Sequence, residues 1–268
     1  MDLAQVHVEL VHAIRDGMSY VAPPLHIAEM GGIFDELALQ LEGLALCHLL
    51  ENADQSAFAE NLARSGHSRR FFLRRSRLEK NQDDRHLALS GTRCFLDALI
   101  AGSLTLAREI ATLSTESWNA AWEYEDDHCF YLFLHTIVKQ PAPFPTPEIH
   151  ALLSRFERSL EGGKSVHLNV ARALVARDLG AFTDTLLSLL SAEAAQIDKG
   201  RQSAAVHERD ILFWPKSRVS IEGLAMLKIA ELVDLPIDAD FPLCPNLARL
   251  PWSDQKYHDL FEEIERLE

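Results

Sequence analysis

Apolar residues recur along most of this chain at spacings of three and four, the period of a helix with one buried face. Between Leu25 and Leu50, after a Pro-Pro pair, Ile27, Ile33, Phe34, Leu37, Leu41, Leu44 and Leu49 follow that period. The same pattern predicts helices over Ser56–Ser65, Leu87–Ala101, Leu104–Leu113, Tyr124–Val138 and Pro147–Leu160. Four more are expected over Val166–Ala176, Ala181–Gln196, Ile221–Val233 and Asp254–Leu267. Breaks fall where the backbone requires them: Pro141, Pro143, Pro145 and Pro147 stop one helix and open the next, and Gly162–Gly163 and Pro215 act likewise. Only ILFW (Ile211–Trp214) suggests extended backbone. The fold class read from the pattern is all-α.

Two segments resemble each other, ALIAGSL (Ala98–Leu104) and ALVARDL (Ala173–Leu179). Each reads as a helix with small residues, a tight turn and a second amphipathic helix. Stacked helical hairpins are built this way, because small residues let paired helices approach closely. The pattern leaves two architectures open, a solenoid-like stack of hairpins and an irregular helical bundle. Residues 1–268 read as a single all-α domain, with the proline-rich stretch 140–147 as a possible seam between halves.

Composition narrows the function classes. In 268 residues, 47% are apolar and 25% charged, enough to build a sizeable core. The formal net charge of −14 disfavours nucleic acid and anionic membranes and favours a basic protein partner. Cys47, Cys94, Cys129 and Cys244 contain no CxxC pair, as expected of reduced thiols in the cytoplasm. The start, MDLAQVHVELVHAIRDG, lacks the basic region of a signal peptide, and no apolar run reaches the length of a membrane span. A cytoplasmic location is the expectation.

The densest chemistry lies in EYEDDHCFYLFLH, Glu123 to His135. On a helix, Cys129, Phe130, Phe133, Leu134, Ile137 and Val138 share one inward face. Tyr124, His128, Tyr131 and His135 form a narrow stripe nearly opposite, predicted to face outward. Asp126 and Asp127 occupy the first turn, where exposed N–H groups favour acids. The acids do not converge, although Glu125 and His128 form E-x-x-H, the pair used by di-iron bundles. Glu9 and His12 form a second copy. With 12 histidines in the chain, roughly one such pair arises by chance, so no metal or cofactor is assigned. HExxH, GxSxG and GxGxxG are absent. GGKS (Gly162–Ser165) lacks the first glycine of a phosphate loop, so it reads as a turn with Ser165 capping the next helix. No catalytic residue emerges, and Cys129 reads as a packed side chain.

Two further stretches matter. In HSRRFFLRRSRLEK (His67–Lys80), Phe71 and Phe72 lie between arginines, a superficial likeness to a nucleic-acid site. In so acidic a chain they are expected to pair with neighbouring carboxylates, while Phe71, Phe72, Leu73 and Leu78 pack. After a helix opened by Ser220 and buried through Leu224, Leu227, Ile229 and Leu232, an acidic loop follows Pro236, carrying Asp238 and Asp240 between prolines. A rigid loop of this kind suits recognition.

Two segments together resemble a known family. They are SWNAAWEYEDDHCFYLFLHTI (Ser117–Ile137) and VSIEGLAMLKIAELVDLPID (Val219–Asp238), the latter followed by the proline-bounded loop. The combination resembles the immunity protein 49 family of bacterial polymorphic-toxin systems, over about residues 90–250. The resemblance implies a mostly α-helical protein encoded beside a toxin, protecting the producer by binding that toxin, with no catalytic residues to carry over. The expected partner is a cognate toxin with a basic surface. The expected contact residues are Glu123, Tyr124, Glu125, Asp127, His128, Tyr131, His135, Asp238 and Asp240. The alternative is a helical-repeat scaffold for some other protein.

Overall fold

The computed structural model describes residues 2–21, 26–81, 84–91, 93–140, 144–203, 210–253, 255–262 and 264. These residues form eleven α-helices and no strand or sheet. They are α1 (Leu3–Tyr20), α2 (Gly31–Asn52), α3 (Gln55–Leu78), α4 (Cys94–Ile100), α5 (Leu104–Leu113) and α6 (Glu125–Lys139). There follow α7 (Pro147–Ser159), α8 (Val166–Ala176), α9 (Leu179–Arg201), α10 (Phe213–Lys216) and α11 (Ile221–Leu232). Neighbours in sequence pack on one another from α1 to α9, and α11 returns to pack on α4, α6 and α9. One continuous set of buried side chains runs from Val21 to Phe261.

Local chemistry explains most helix ends. Asp54, Asp178 and Ser220 each accept from the N–H three residues on, at 3.0, 3.0 and 2.9 Å. Ser165 caps α8 in the same way, so GGKS is a turn before a helix. The two similar segments are one local structure used twice. In both, a left-handed residue closes the first helix, Gly102 at φ 77° and Arg177 at φ 51°. Ser103 N–H then reaches back to Ala98 O at 3.1 Å, and Asp178 N–H to Ala173 O at 3.0 Å. Gly102 cannot be replaced, because a Cβ there would lie 2.3 Å from Pro251 O.

Several expectations change. The first 20 residues hold α1, whose Val6 and Leu10 pack on Leu44 and Cys47. The expected short helix from Ser56 runs unbroken to Leu78 and absorbs the basic stretch. Within it Phe71 and Phe72 are buried against Phe34, and Phe71 stacks on Phe261 at 5.1 Å. Leu78, by contrast, is 68% exposed and packs little. The arginines divide their partners. Arg70 pairs with Asp259 and Glu109, and Arg75 with Glu79, whereas Arg69 and Arg77 donate to the backbone carbonyls of His86, Ala88 and Thr112.

ILFW is not extended: Ile211 and Leu212 form a turn and Phe213 and Trp214 open α10. The apolar pair Ile211 and Leu212 packs on the α1–α2 cluster, which explains a short apolar run without a sheet. The expected helix Leu87–Ala101 divides into a 3-10 turn ending at Leu87 and α4 beginning at Cys94. Residues 255–259 are not helical, and Tyr257 Oη donates to Ala101 O at 2.9 Å. Of the proline-rich stretch, residues 141–143 lie outside the described residues; α6 and α7, on either side of it, pack on each other.

Candidate protein-interaction surface

The apolar face of α6 is buried as its spacing predicts: Cys129, Phe130, Phe133, Leu134, Ile137 and Val138 all lie in the core. Burial pushes the Cys129 thiol up to about 11, and those of Cys47 and Cys244 to about 12, so none is a ready nucleophile near neutral pH.

The opposite stripe is only partly outward. Tyr124, at the helix start, is 79% exposed and Tyr131 is half-buried, but His128 is 0% and His135 3% exposed. The helix touches α5, α7, α8 and α11, so it is covered on more than the one face that a single apolar stripe implies. Glu123 is also interior. Its carboxylate accepts from Ser90 N–H at 2.9 Å and Leu89 N–H at 3.3 Å, and meets His128 Nδ1 at 3.1 Å. Burial works against this charge, but the His128 and Ser90 hydrogen bonds outweigh it and hold the carboxyl below the usual range. His128 Nε2 lies 3.3 Å from Glu116 O, and Trp118 Nε1 donates to Glu123 O at 3.0 Å. Glu123, His128 and His135 are therefore corrected from surface to interior. The first two fasten the tryptophan run and the 84–91 segment to α6.

His135 sits with its ring 4.1 Å from that of Phe95, and its Nε2 has no hydrogen-bond partner. Burial, reinforced by Lys139, pushes its pKa down to about 3, so it is neutral in the folded protein. The unfolded chain, with an ordinary histidine pKa near 6.5, takes up a proton that the fold refuses. Stability should therefore fall by about 1.4 kcal/mol per pH unit below roughly 6.5. The depressed Glu123 carboxyl acts in the same direction at lower pH, its contribution lost as protonation begins. His135→Leu should narrow the gap in urea midpoint between pH 7.5 and pH 5. An unchanged gap would refute the assignment.

The remaining residues border an acidic region. Glu125 accepts from Arg155 Nε at 2.9 Å, joining α6 to α7. Burial, and then the charge of Asp126, raise the Asp127 carboxyl above its ordinary value. On the neighbouring helices His167 Nε2 meets Glu222 at 2.7 Å and stacks on Phe130 at 4.3 Å. Glu222 acts on both Asp127 and Tyr131, placing the start of α11 beside that of α6. Asp238 and Asp240 are exposed on a loop that is pinned rather than loose. Arg249 donates to Ile237 O at 2.6 Å and Ala239 O at 2.9 Å, and Leu243 O accepts from Ser220 N–H at 2.7 Å. Asp240 also accepts from Asn246 at 2.6 Å.

Neither E-x-x-H pair converges. Glu125 turns to Arg155 and His128 to Glu123, while Glu9 accepts from Gln5. Among the described residues no group of three or more His, Cys, Asp or Glu side chains could hold a metal ion, and no helix is long and apolar enough to cross a membrane. The sequence offers Glu222 only as part of the helix start at Ser220, and gives Glu42 and Asp97 no role. The signal was there for the last two: single acids inside the apolar runs LALQLEGLALC and CFLDALI.

No curated protein and no solved structure matches the chain. A family model described as Immunity protein 49 matches residues 38–248, beginning well before the two segments at 117–137 and 219–238 that carry the resemblance. That family implies an immunity role in toxin systems, with a toxin as partner, and suggests a non-enzymatic protein. With most of its length matched and an all-α fold to carry the match, this chain belongs to the immunity protein 49 family.

Proposed function

We propose that this chain acts in the cytoplasm of a toxin-producing bacterium, where it binds and neutralises the cognate toxin through an acidic surface. That surface centres on Tyr124, Glu125, Asp127 and Tyr131 and extends through the start of α11 to Asp238 and Asp240. The observation that carries the reading is Tyr124: a large aromatic side chain, almost fully exposed, among three carboxylates of the first turn of α6. A rigid aromatic anchor with a charged rim suits a tight protein interface. The overall charge of −14 accelerates encounter with a basic partner. A toxin that acts on nucleic acid needs a basic site, and an acidic surface is complementary to it. Neutralisation by binding needs no catalytic group.

Co-production with the protein encoded by the adjacent gene tests this. Cells making that protein alone should stop growing, and cells making both should grow, with the two copurifying. Growth arrest despite co-production, with the proteins eluting apart, would refute the immunity reading and favour the helical-repeat scaffold.

A further inference from the structure

Helices α2 and α4 are apolar around most of their circumference, yet each carries one carboxylate within a buried stretch, Glu42 and Asp97. Each is only 1% exposed, and both line one recess of about 250 Å³ whose walls also include Asp35, Arg93 and Tyr131. Their oxygens are incompletely used. Lys216 Nζ lies 2.8 Å from Glu42 Oε1, and Ser65 donates to Asp97 Oδ2 at 2.5 Å. Glu42 Oε2 and Asp97 Oδ1 have no hydrogen-bond partner. A buried carboxylate oxygen without a donor costs the fold free energy, and native proteins rarely leave two beside each other unless something satisfies them.

We propose that this recess receives one cationic side chain, the guanidinium of an arginine on the toxin. This rests on the immunity reading above and names the anchor within it. The size fits one side chain: small-molecule sites typically enclose about 300–1,000 Å³, more than is present here. The chemistry favours arginine over lysine. A guanidinium presents five donors in a planar fork, which can serve acceptors from two helices at once, and it is less strongly hydrated than an ammonium. Tyr131 adds an aromatic wall, a surface on which guanidinium groups stack.

Arg93 contributes one positive charge to the wall. Of the carboxylates whose charge reaches it, Glu42 shares the recess with it, whereas Glu222 pairs with His167 at 2.7 Å. Lys216 offsets part of the charge on Glu42. Burial, and next the neighbouring Glu42, push the Asp97 carboxyl well above its usual range. An arginine that fills a desolvated pocket at an interface is the kind of contact that dominates binding energy.

The isolated protein decides the matter without the toxin. N-acetyl-arginine amide is titrated into the chain while the ring signals of its four tyrosines are followed by NMR, with Tyr131→Phe assigning the one at the recess. The Tyr131 signal should shift saturably, and the neutral isostere N-acetyl-citrulline amide should leave it in place. Glu42→Gln should weaken the arginine amide at least ten-fold. If that variant does not fold, the comparison of charged and neutral amides on the unaltered chain still decides. A Tyr131 signal that stays put, or that responds equally to both amides, overturns the proposal. A chain that ignores the arginine amide yet binds its toxin overturns the recess alone, whereas failure to bind the toxin overturns the immunity reading.

Discussion

Glu123→Ala should cost the fold about 3–5 kcal/mol, because each buried donor left without its acceptor costs about 1–3 kcal/mol. The substitution strands three donors at once: the N–H groups of Leu89 and Ser90 and the ring of His128. Each was desolvated on folding, and none can recover water without opening the contact between the 84–91 segment and α6. Glu123→Gln keeps an acceptor oxygen for part of this network and should lose about 1–2 kcal/mol. Urea unfolding at pH 7 measures both. An alanine variant within 1 kcal/mol of the parent would mean that the carboxylate is not the fastener described here.

That prediction follows from a residue whose role the sequence hides. The stretch Glu123–His135 announces a polar cluster, and helical periodicity separates its apolar face correctly. Periodicity cannot say how many neighbours a helix has. On α6, His135 is buried against Phe95 of α4, and His128 against Glu116 and Glu123 of the segment before the helix, two histidines that a one-sided helix would expose. Glu123 precedes the helix, so no helical-face argument applies to it, and its partners at residues 89 and 90 come from a segment expected to be helical.

Signals carried by side chain and turn chemistry were legible. Ser165 and Ser220 sit at the helix starts their hydroxyls suggest. The pair ALIAGSL and ALVARDL marks two hairpins closed by the same hydrogen bonds, 75 residues apart in sequence. The basic stretch was legible in part: its phenylalanines pack as expected, but two of its arginines satisfy backbone carbonyls, a choice set by tertiary neighbours. ILFW shows the limit of short apolar runs, where burial against α1 and α2 mimics the composition of a strand. The acids at 42 and 97 carry a signal of their own, since charges inside apolar helical runs are costly and seldom without purpose.

The surface prediction is the larger in function. Tyr124→Ala combined with Asp127→Lys removes an exposed ring and reverses one carboxylate at the start of α6, leaving Glu123 and the core untouched. Toxin binding should weaken at least a hundred-fold, about 2.7 kcal/mol, the scale of a lost aromatic anchor and a reversed charge. The variant's unfolding free energy from urea titration should stay within about 1 kcal/mol of the parent's, because neither side chain is part of the core.

Titration calorimetry of the purified chain with the protein encoded beside it, repeated at low and high salt, tests the central claim most directly. The account predicts tight binding that weakens with salt and is reduced at least a hundred-fold by the Tyr124→Ala, Asp127→Lys variant. A folded variant that binds as tightly as the parent, at either salt concentration, would contradict it.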